Sequence, residues 1–348
     1  MARSFRKVVA SREGAGVLAA TAAIATGLWV QYRAREAERN NPRVGRFIEV
    51  DGVRLHYVDR GEGPAVVLLH GNTVLLQDFI GSGLLDRLAE RYRVIAFDRP
   101  GFGYSERPPD RLWTAKAQAV LIQRALACID VEQPVVLGHS WGTLVAMGMA
   151  LNYPDRVRGL LLISGYYYPT ARLDVALTAP AAIPLLGDAL RYTVSPLAGR
   201  LLLKRTVQAM FAPAPVPYDF FDVVPREMIV RPLQIRAEAE DAALMIPAAA
   251  QFRAHYSELE MPVTIVAGAG DKIVDPESHS ARLHAELPRS ALVIVPDAGH
   301  MVHYAVADRI AAAIDLITAG DAKPCRPGPN DGETSQDAAR LSIVVTKQ

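Results

Sequence analysis

The segment Gly138-His139-Ser140-Trp141-Gly142 has the residue types and the spacing that point most directly to chemistry. An apolar run that predicts a buried strand, residues 134–137, precedes it, and a run that predicts a packed helix, residues 143–151, follows it. A Gly-x-Ser-x-Gly motif between a strand and a helix is typical of a nucleophile elbow, a turn so sharp that it requires both glycines. The turn exposes the serine hydroxyl at a helix N-terminus, where the helix dipole favours negative charge. The sequence therefore predicts a nucleophilic serine.

Eight short apolar segments have the length and composition of buried strands, and they would form the framework for this motif. Turn signals separate them, and Asp51-Gly52 indicates that the first two form a hairpin. After the hairpin, continuous apolar strands alternate with helical patterns, which predicts a mostly parallel sheet with helices on both faces, the α/β class. The predicted strands are residues 47–50, 55–58, 65–69, 94–97, 135–137, 159–163, 263–267 and 292–295.

Residues 166–260 break this alternation, because they are dotted with proline, rich in aromatic residues and helical in character. Open α/β sheets bind their ligands at the carboxyl ends of the strands. We therefore predict that this segment is a helical cap inserted over that edge, between the two parts of a core domain, residues 46–165 and 261–319. A set of core helices packed elsewhere on the sheet is the alternative.

The chain resembles the α/β-hydrolase superfamily over roughly residues 46–318. Four motifs carry the resemblance: Leu69-His70-Gly71-Asn72, residues 98–105 (Asp-Arg-Pro-Gly-Phe-Gly-Tyr-Ser), the elbow, and Asp271 followed by His300. The chain is similar to the cap-bearing branch, which includes epoxide hydrolases, haloalkane dehalogenases, cofactor-free haloperoxidases and carbon–carbon bond hydrolases. The resemblance implies an α/β-hydrolase fold with an eight-stranded sheet, and the chain order nucleophile, acid, histidine, which this sequence keeps.

The resemblance also implies a catalytic triad of Ser140, Asp271 and His300. A serine hydroxyl needs a base within hydrogen-bond reach, and His300 follows the last predicted strand, where the family carries its histidine. His303, three residues later, is interpreted as a polar residue on the following helix. Asp271 matches the position of the family acid, which fixes the histidine tautomer and stabilises the imidazolium. Asp275 is the alternative acid, although its expected role is to cap a helix.

The oxyanion hole should come from two backbone N–H groups. One belongs to Trp141, the residue after the nucleophile, and by the family pattern the other belongs to Asn72. Many relatives have an aromatic residue in place of this asparagine, whose amide side chain either adds a donor in the pocket or supports the loop. Tyr166, Tyr167 and Tyr168 follow a strand at the same sheet edge, and we expect at least one to line the substrate pocket.

A serine nucleophile forms an acyl-enzyme with a carbonyl substrate, whereas epoxide hydrolases and haloalkane dehalogenases carry an aspartate at the elbow for alkyl displacement. We therefore expect a serine hydrolase that acts on carboxylic esters or related carbonyl compounds, with an apolar small molecule as the acyl substrate. A carbon–carbon bond hydrolase, a perhydrolase or an acyltransferase with the same triad is the alternative. A non-catalytic, membrane-tethered binding module is a further alternative, and no sequence feature favours it. We expect no cofactor and no metal.

Composition argues against other classes of protein. The chain has 348 residues, of which 50% are hydrophobic, enough for one large α/β domain. The net charge of +1 gives no basis for binding nucleic acid. Cys128 on a predicted helix and Cys325 in a polar tail are far apart, so we expect neither a disulfide framework nor a structural zinc site.

The N-terminal residues 1–13 are basic, and residues 14–32 carry no charge. A helix of about 20 apolar residues spans a bilayer, and Trp29 and Tyr32 suit its interface. We expect an uncleaved membrane anchor, followed by a linker at residues 33–45. Arginines on both sides leave its orientation undecided. A signal peptide cleaved after Ala25, which would leave a secreted or periplasmic protein, and a soluble helical extension are the alternatives. Residues 320–348 have the composition of a disordered tail.

Overall fold

The computed structural model of the protein describes residues 12–171 and 179–319. Most of the basic segment predicted at residues 1–13, and the tail predicted at residues 320–348 with its Cys325, lie outside the described residues. Cys128 is exposed and carries a free thiol.

A single eight-stranded sheet has the strand order β1-β2-β4-β3-β5-β6-β7-β8. β2 pairs antiparallel with β1 and β4, and all the other neighbours are parallel. Every predicted strand is present, and the mostly parallel α/β class is confirmed. The carboxyl ends of the parallel strands meet at one edge, so that loops distant in sequence come together there. The strands are β1 (Arg46–Val50), β2 (Val53–Arg60), β3 (Ala65–Leu69), β4 (Arg93–Phe97), β5 (Val135–His139), β6 (Gly159–Ile163), β7 (Val263–Gly268) and β8 (Ser290–Val295).

Helices cover both faces of this sheet, and each face has its own apolar core. The described α-helices are α1 (Arg12–Asn40), α2 (Gln77–Gly81), α3 (Leu84–Ala89), α4 (Ala115–Cys128), α5 (Gly142–Asn152), α6 (Leu186–Arg191), α7 (Val194–Phe211), α8 (Phe220–Val223), α9 (Arg226–Ile229), α10 (Pro232–Arg253), α11 (Arg282–Glu286) and α12 (Ala307–Ala319). α4 and α5 pack on one face of the sheet, whereas α2, α3 and α12 pack on the other. The nearly uninterrupted apolar sequence of α5 explains why almost all of its side chains are buried.

The segment between β6 and β7 contains the helices α6 to α10, which turns and irregular stretches connect. Three contacts show where it lies. The backbone N–H of Met301 donates to Met210 O, a Cβ added to Gly299 would lie 2.2 Å from Ala212 O, and the indole of Trp141 donates to Asp241 O. These helices therefore contact the loops after β5 and β8 at the carboxyl edge of the sheet, as a cap does. We refer to them below as the cap.

α1 is the one helix in the described ranges that is long and apolar enough to cross a membrane, by length and composition. A signal sequence near the N-terminus has the same properties. The helix continues to Asn40, so the prediction of a linker at residues 33–45 is wrong over its first eight residues. The charged residues after Tyr32 are good helix formers, and the ion pair between Arg33 and Glu36 stabilises this last part of the helix.

The second half of α1 packs against the folded domain. Val30 and Ala37 are buried, and Glu38 accepts a hydrogen bond from Arg231 of the cap at 2.7 Å. The hydroxyl of Tyr104, in the loop after β4, donates to the backbone carbonyl of Glu38. The helix is therefore attached to both the cap and the core.

Candidate active site

The turn between β5 and α5 has the geometry of the predicted elbow. Ser140 has a φ of +52°, a left-handed conformation that residues other than glycine rarely adopt. A Cβ on Gly138 would lie 2.6 Å from Gly142 O, and a Cβ on Gly142 would lie 2.2 Å from Leu69 O. Both glycines are therefore required by the close approach of the backbone, as the motif predicts.

The structure brings Ser140, Asp271 and His300 together in one hydrogen-bonded chain. His300 Nε2 lies 2.8 Å from Ser140 Oγ, and His300 Nδ1 lies 2.8 Å from Asp271 Oδ2. The serine follows β5, the aspartate follows β7 and the histidine follows β8, so three parallel strands deliver them to one edge. Asp271 and His300 are buried, whereas Ser140 is partly exposed and open to a ligand. This arrangement can move a proton from the hydroxyl to the imidazole.

The second oxygen of Asp271 fixes the direction of the carboxylate. Oδ1 accepts hydrogen bonds from the backbone N–H groups of Ile273 and Val274, at 2.8 and 3.0 Å. Asp275, the alternative acid, points to a different partner, because its Oδ2 accepts from the backbone N–H and the hydroxyl of Ser278. These hydrogen bonds hold the pKa of Asp275 below its ordinary value. Asp275 therefore begins a helical turn, in the capping role expected for it.

His303 does not lie on the following helix, contrary to its interpretation from the sequence. The chain forms a short 3-10 helix, Val302–Tyr304, before α12 begins, and this turn directs the ring inward. His303 is fully buried, and its Nε2 lies 2.9 Å from Asp78 Oδ2. The hydroxyl of Tyr304 donates to the other oxygen of the same carboxylate. The interaction with this carboxylate lowers the free-energy cost of burying the polar ring of His303.

His139, directly before the candidate nucleophile, supports the loop that carries His300. Its Nε2 lies 3.1 Å from the backbone carbonyl of His300, to which a neutral ring donates. Desolvation by burial holds the pKa of His139 well below its ordinary value, so the ring stays neutral. Together with Asp78 and His303 it forms a cluster whose nitrogen and oxygen ligand atoms lie within 4.8 Å of one another. Both oxygens of the Asp78 carboxylate already have hydrogen-bond partners, His303 and Tyr304.

The loop after β3 packs directly against the elbow. A Cβ on Gly71 would lie 2.9 Å from the Cβ of Ser140, so the backbone of this loop approaches the candidate nucleophile as closely as glycine allows. No hydrogen bond to the backbone N–H of Asn72 or Trp141 is found among the described residues. Two predicted oxyanion donors thus remain free beside Ser140.

The side chain of Asn72 supports the loop. Its Oδ1 accepts a hydrogen bond from Arg99 Nη2 at 2.7 Å. Arg99 also donates to the backbone carbonyls of His70 and Gly71 at 2.8 and 3.1 Å. His70 is fixed in turn, since its Nε2 accepts from the backbone N–H of Arg99, and burial and the nearby guanidinium lower its pKa to about 3. The oxyanion loop is therefore held by one buried arginine.

Arg99 connects this loop to the cap. Its remaining N–H groups donate to Asp241 of α10 at 2.5 Å and to Gln118 of α4 at 3.2 Å, which uses all five donors of the guanidinium. Asp241 also pairs with Arg107 at 2.9 Å, and all three charged side chains are inaccessible to solvent. Sequence analysis did not identify Arg99 or Asp241. Arg99 lies in the motif at residues 98–105, which carries part of the family resemblance but no predicted site residue, and no pattern in the sequence around Asp241 indicates its role.

A second cap residue reaches the same loop. Glu238 of α10 accepts a hydrogen bond from the backbone N–H of Thr73 at 3.1 Å. Burial raises the pKa of Glu238 to about 7. The residue after the predicted oxyanion donor is therefore fastened to the cap independently of Arg99.

Replacing Asp241 by alanine should destabilise the protein by about 3–5 kcal/mol, because it leaves two buried guanidinium groups without their shared carboxylate. The free energy of unfolding, measured by chemical denaturation of all variants in the same detergent, checks this value. Asp110→Ala is the matched control, since Asp110 pairs with Arg111 at the surface and its loss should have little effect. Equal stabilities of the two variants would contradict the assigned role of Asp241.

The three tyrosines expected near the pocket are packed in the interior. Tyr166, Tyr167 and Tyr168 are at most 1% exposed and belong to the apolar core that includes Phe252 of α10. The Tyr166 ring lies 4.6 Å from the ring of His279, and Tyr166 OH shares a hydrogen bond with Thr170. A role in lining the substrate pocket stays a prediction.

Comparison with known proteins agrees with this geometry. A sequence model of the alpha/beta hydrolase fold family matches residues 64–305. Haloalkane dehalogenase 2 of Mycobacterium tuberculosis is 28% identical over 281 residues, which are 78% of this chain and 94% of the relative. The 2-hydroxymuconate semialdehyde hydrolase of Pseudomonas putida is 36% identical over 147 residues, 40% of this chain and 51% of the relative.

Among solved structures, that of a membrane phospholipase A, a bacterial virulence factor, matches with a TM-score of 0.61 at 22% identity. The match covers 87% of this chain and 94% of that one, and it shows a common fold. The family match spans well over half of the chain and coincides with the sheet, the elbow and the strand-end loops. The protein belongs to the α/β-hydrolase fold family of enzymes.

Proposed function

We propose that the protein is a serine hydrolase that cleaves carboxylic esters of apolar acyl groups through an acyl-enzyme. The observation that carries this proposal is the continuous relay from Asp271 through His300 to Ser140, with both hydrogen bonds at 2.8 Å. A nucleophile paired with a base that is itself oriented by a third group is the signature of covalent catalysis.

In this mechanism His300 Nε2 takes the proton of Ser140 Oγ as that oxygen attacks the carbonyl carbon of the ester. The carbonyl oxygen becomes negatively charged, and it accepts hydrogen bonds from the backbone N–H groups of Trp141 and Asn72. His300 then gives its proton to the alcohol oxygen as the C–O bond breaks, which leaves an acyl group on Ser140. A water molecule, deprotonated by His300, attacks the acyl carbon. The bond between that carbon and Ser140 Oγ then breaks, His300 returns the proton to Oγ, and the acid leaves. Asp271 stabilises the imidazolium in both steps.

The serine at the elbow argues against dehalogenation, even though a dehalogenase is among the relatives. Displacement of a halide from an alkyl carbon requires a carboxylate nucleophile, whose ester intermediate water can cleave at the acyl carbon. Ser140 would instead form an ether with an alkyl substrate, and water cannot release it in this way. The nucleophile therefore favours substrates with a carbonyl group.

Carbon–carbon bond hydrolysis next to a carbonyl group is the second candidate. The similarity to 2-hydroxymuconate semialdehyde hydrolase, 36% identity over 147 residues, favours it. The same triad and oxyanion donors would serve a ring-cleavage product. The two candidates differ in the leaving group, an alkoxide or a carbanion, and substrates distinguish them directly.

A panel of p-nitrophenyl esters of increasing acyl length, with a ring-cleavage product included, tests the proposal. We expect turnover of the esters and labelling of Ser140 by a fluorophosphonate probe, with little turnover of the ring-cleavage product. The reverse preference would establish the second candidate. Absence of both turnover and labelling would indicate a binding module rather than an enzyme.

We further propose that α1 remains attached as a membrane anchor. Only 6% of the most apolar part of α1 is buried in the protein, so these side chains need another apolar environment. The full-length protein should stay in the membrane fraction after extraction with salt and alkaline carbonate. A chain that begins at Arg43 should be released and active, although less stable because it loses the packed second half of α1. N-terminal sequencing that finds Thr26 as the first residue would establish a cleaved signal peptide instead.

A further inference from the structure

Part of the cap lies directly beside the end of the apolar segment of α1. The guanidinium of Arg200 in α7 lies 5.1 Å from the centre of the Trp29 ring, and a Cβ on Gly27 would lie 3.8 Å from Tyr192 O. Glu227 of α9 strengthens the contact, since it pairs with Arg200 at 2.6 Å and with Arg33 at 3.5 Å. The region from Tyr192 to Arg200 is therefore fixed next to residues 27–33 of the helix.

Residues 185–202 of the cap include this region, and they expose six large aliphatic side chains, which we call the leucine face: Leu185, Leu186, Val194, Leu197, Leu201 and Leu202. Leu185 is 83% exposed and Leu201 is 80% exposed, so neighbouring residues cover little of either side chain. Solvent-exposed apolar groups concentrated in one region mark an interaction surface. The opposite side of α7 is buried in the cap through Leu203, Val207 and Met210, so the helix is apolar on both sides.

The position of the leucine face along α1 matches the depth of a membrane interface. The charge-free segment ends at Tyr32, and Gly27 is five residues before it, about 8 Å along a helix. Trp29 lies between them, and aromatic rings of this kind prefer the headgroup level of a bilayer. An interfacial element buries its apolar side about 5–10 Å into the boundary between headgroups and acyl chains. The leucine face therefore lies at the depth where such elements bind.

The charges that border the leucine face suit the same partner. Lys204 and Arg205 follow the buried Leu203 on α7, two and three residues after Leu202, and both are exposed. Basic side chains next to an apolar face attract the anionic headgroups of a bilayer.

We propose that the leucine face is embedded in the interface of the bilayer that α1 spans, so that the cap itself contacts lipid. The partner is a lipid bilayer with anionic headgroups, and hydrophobic esters dissolved in it are delivered at the cap. The contact with lipid rests on α1 being the membrane anchor proposed above, and the delivery of esters rests in addition on the proposed hydrolase function.

Fluorescence quenching by lipid tests the proposal with the full-length chain. In a Cys128→Ser, Cys325→Ser background, single cysteines at Leu201, Leu18 and Leu316 are labelled with a small environment-sensitive fluorophore. The protein is placed in vesicles of phosphatidylcholine and phosphatidylglycerol, with or without lipids that carry a spin label near the headgroup end of the acyl chain. Leu18 reports on α1, and Leu316 is a matched control, an exposed leucine on α12 of the core.

We expect the spin-labelled lipid to remove most of the fluorescence at Leu201 and little of it at Leu316. Quenching at Leu18 together with none at Leu201 would overturn the proposal while leaving the anchor in place. A blue-shifted but unquenched signal at Leu201 would mean that protein, such as a second copy of this chain, covers the leucine face, and it would also overturn the proposal. Absence of quenching at both positions would overturn the anchor and the leucine face together.

An activity ratio provides a second readout. Leu201→Ser combined with Leu202→Ser should lower turnover of a long-chain ester in vesicles several-fold and leave turnover of a short, water-soluble ester unchanged. An unchanged ratio would contradict delivery of substrate at the cap. If the unmodified protein hydrolyses neither ester, the ester hydrolase proposal is rejected, whatever the quenching result.

Discussion

Replacing Ser140 by alanine is expected to abolish ester hydrolysis and leave the fold intact. Without the hydroxyl no acyl-enzyme forms, and loss of the nucleophile from a triad lowers turnover by about a millionfold. Among the described residues, His300 is the one hydrogen-bond partner of the Ser140 Oγ, so stability should change little. The measurement is kcat for a p-nitrophenyl ester, with circular dichroism to confirm folding.

The same variant should fail to react with a fluorophosphonate, which labels the serine oxygen covalently. Ser164 offers a matched control, because it is a buried serine at the end of the neighbouring strand without a histidine partner among the described residues. Ser164→Ala should retain labelling. Ester hydrolysis by Ser140→Ala within tenfold of the unmodified protein would reject the assignment of the nucleophile.

Replacing Asp271 by asparagine is expected to lower turnover about 10⁴-fold with only a small change in substrate binding. The asparagine side chain can still accept from the backbone N–H groups of Ile273 and Val274, so the loop should keep its shape. It then presents an amide to His300 Nδ1, which favours the wrong tautomer and leaves no carboxylate to stabilise the imidazolium. Steady-state kinetics that separate kcat from KM check this expectation.

Asp275→Asn is the control for this variant. Asp275 lies four residues away and is also hydrogen bonded to the backbone, but its partner is Ser278 rather than His300. Its replacement should therefore change turnover very little. If Asp275→Asn proves the more damaging substitution, the assignment of the acid is incorrect.

Local signals were sufficient to predict the framework of the protein. Each strand is a short apolar run bounded by turn residues, and the close approach at Gly138 and Gly142 leaves a direct mark in the sequence because no other residue fits. The resemblance to the α/β-hydrolase superfamily, through the order of its motifs, then implied Asp271 and His300.

The contacts that support the site could not be predicted in this way. Arg99 and Asp241 are 142 residues apart, and neither the arginine nor the aspartate occurs in a local pattern that reveals its partner. Charged residues are normally exposed, so nothing in the sequence indicates that these two are buried. The burial of His303 was missed for a related reason, because its partner Asp78 is 225 residues away.

The second half of α1 was missed because a change in composition was taken as a change in structure. Residues 33–40 are charged where residues 14–32 are apolar, which indicated the end of a membrane segment and the start of a linker. Helix propensity does not change at that boundary, and the helix continues until Asn40. The polar part is stable because it packs on the cap and the core.

The guanidinium of Arg99 binds the cap through Asp241 and the oxyanion loop through Asn72 and the carbonyls of His70 and Gly71. A displacement of α10 that opens the cap must therefore either break the contacts that hold that loop or move the loop together with α10. Admission of substrate and alignment of the backbone donors are then two aspects of one conformational equilibrium. By thermodynamic reciprocity, closure of the cap favours binding of an oxyanion by the same free energy with which a bound oxyanion favours closure.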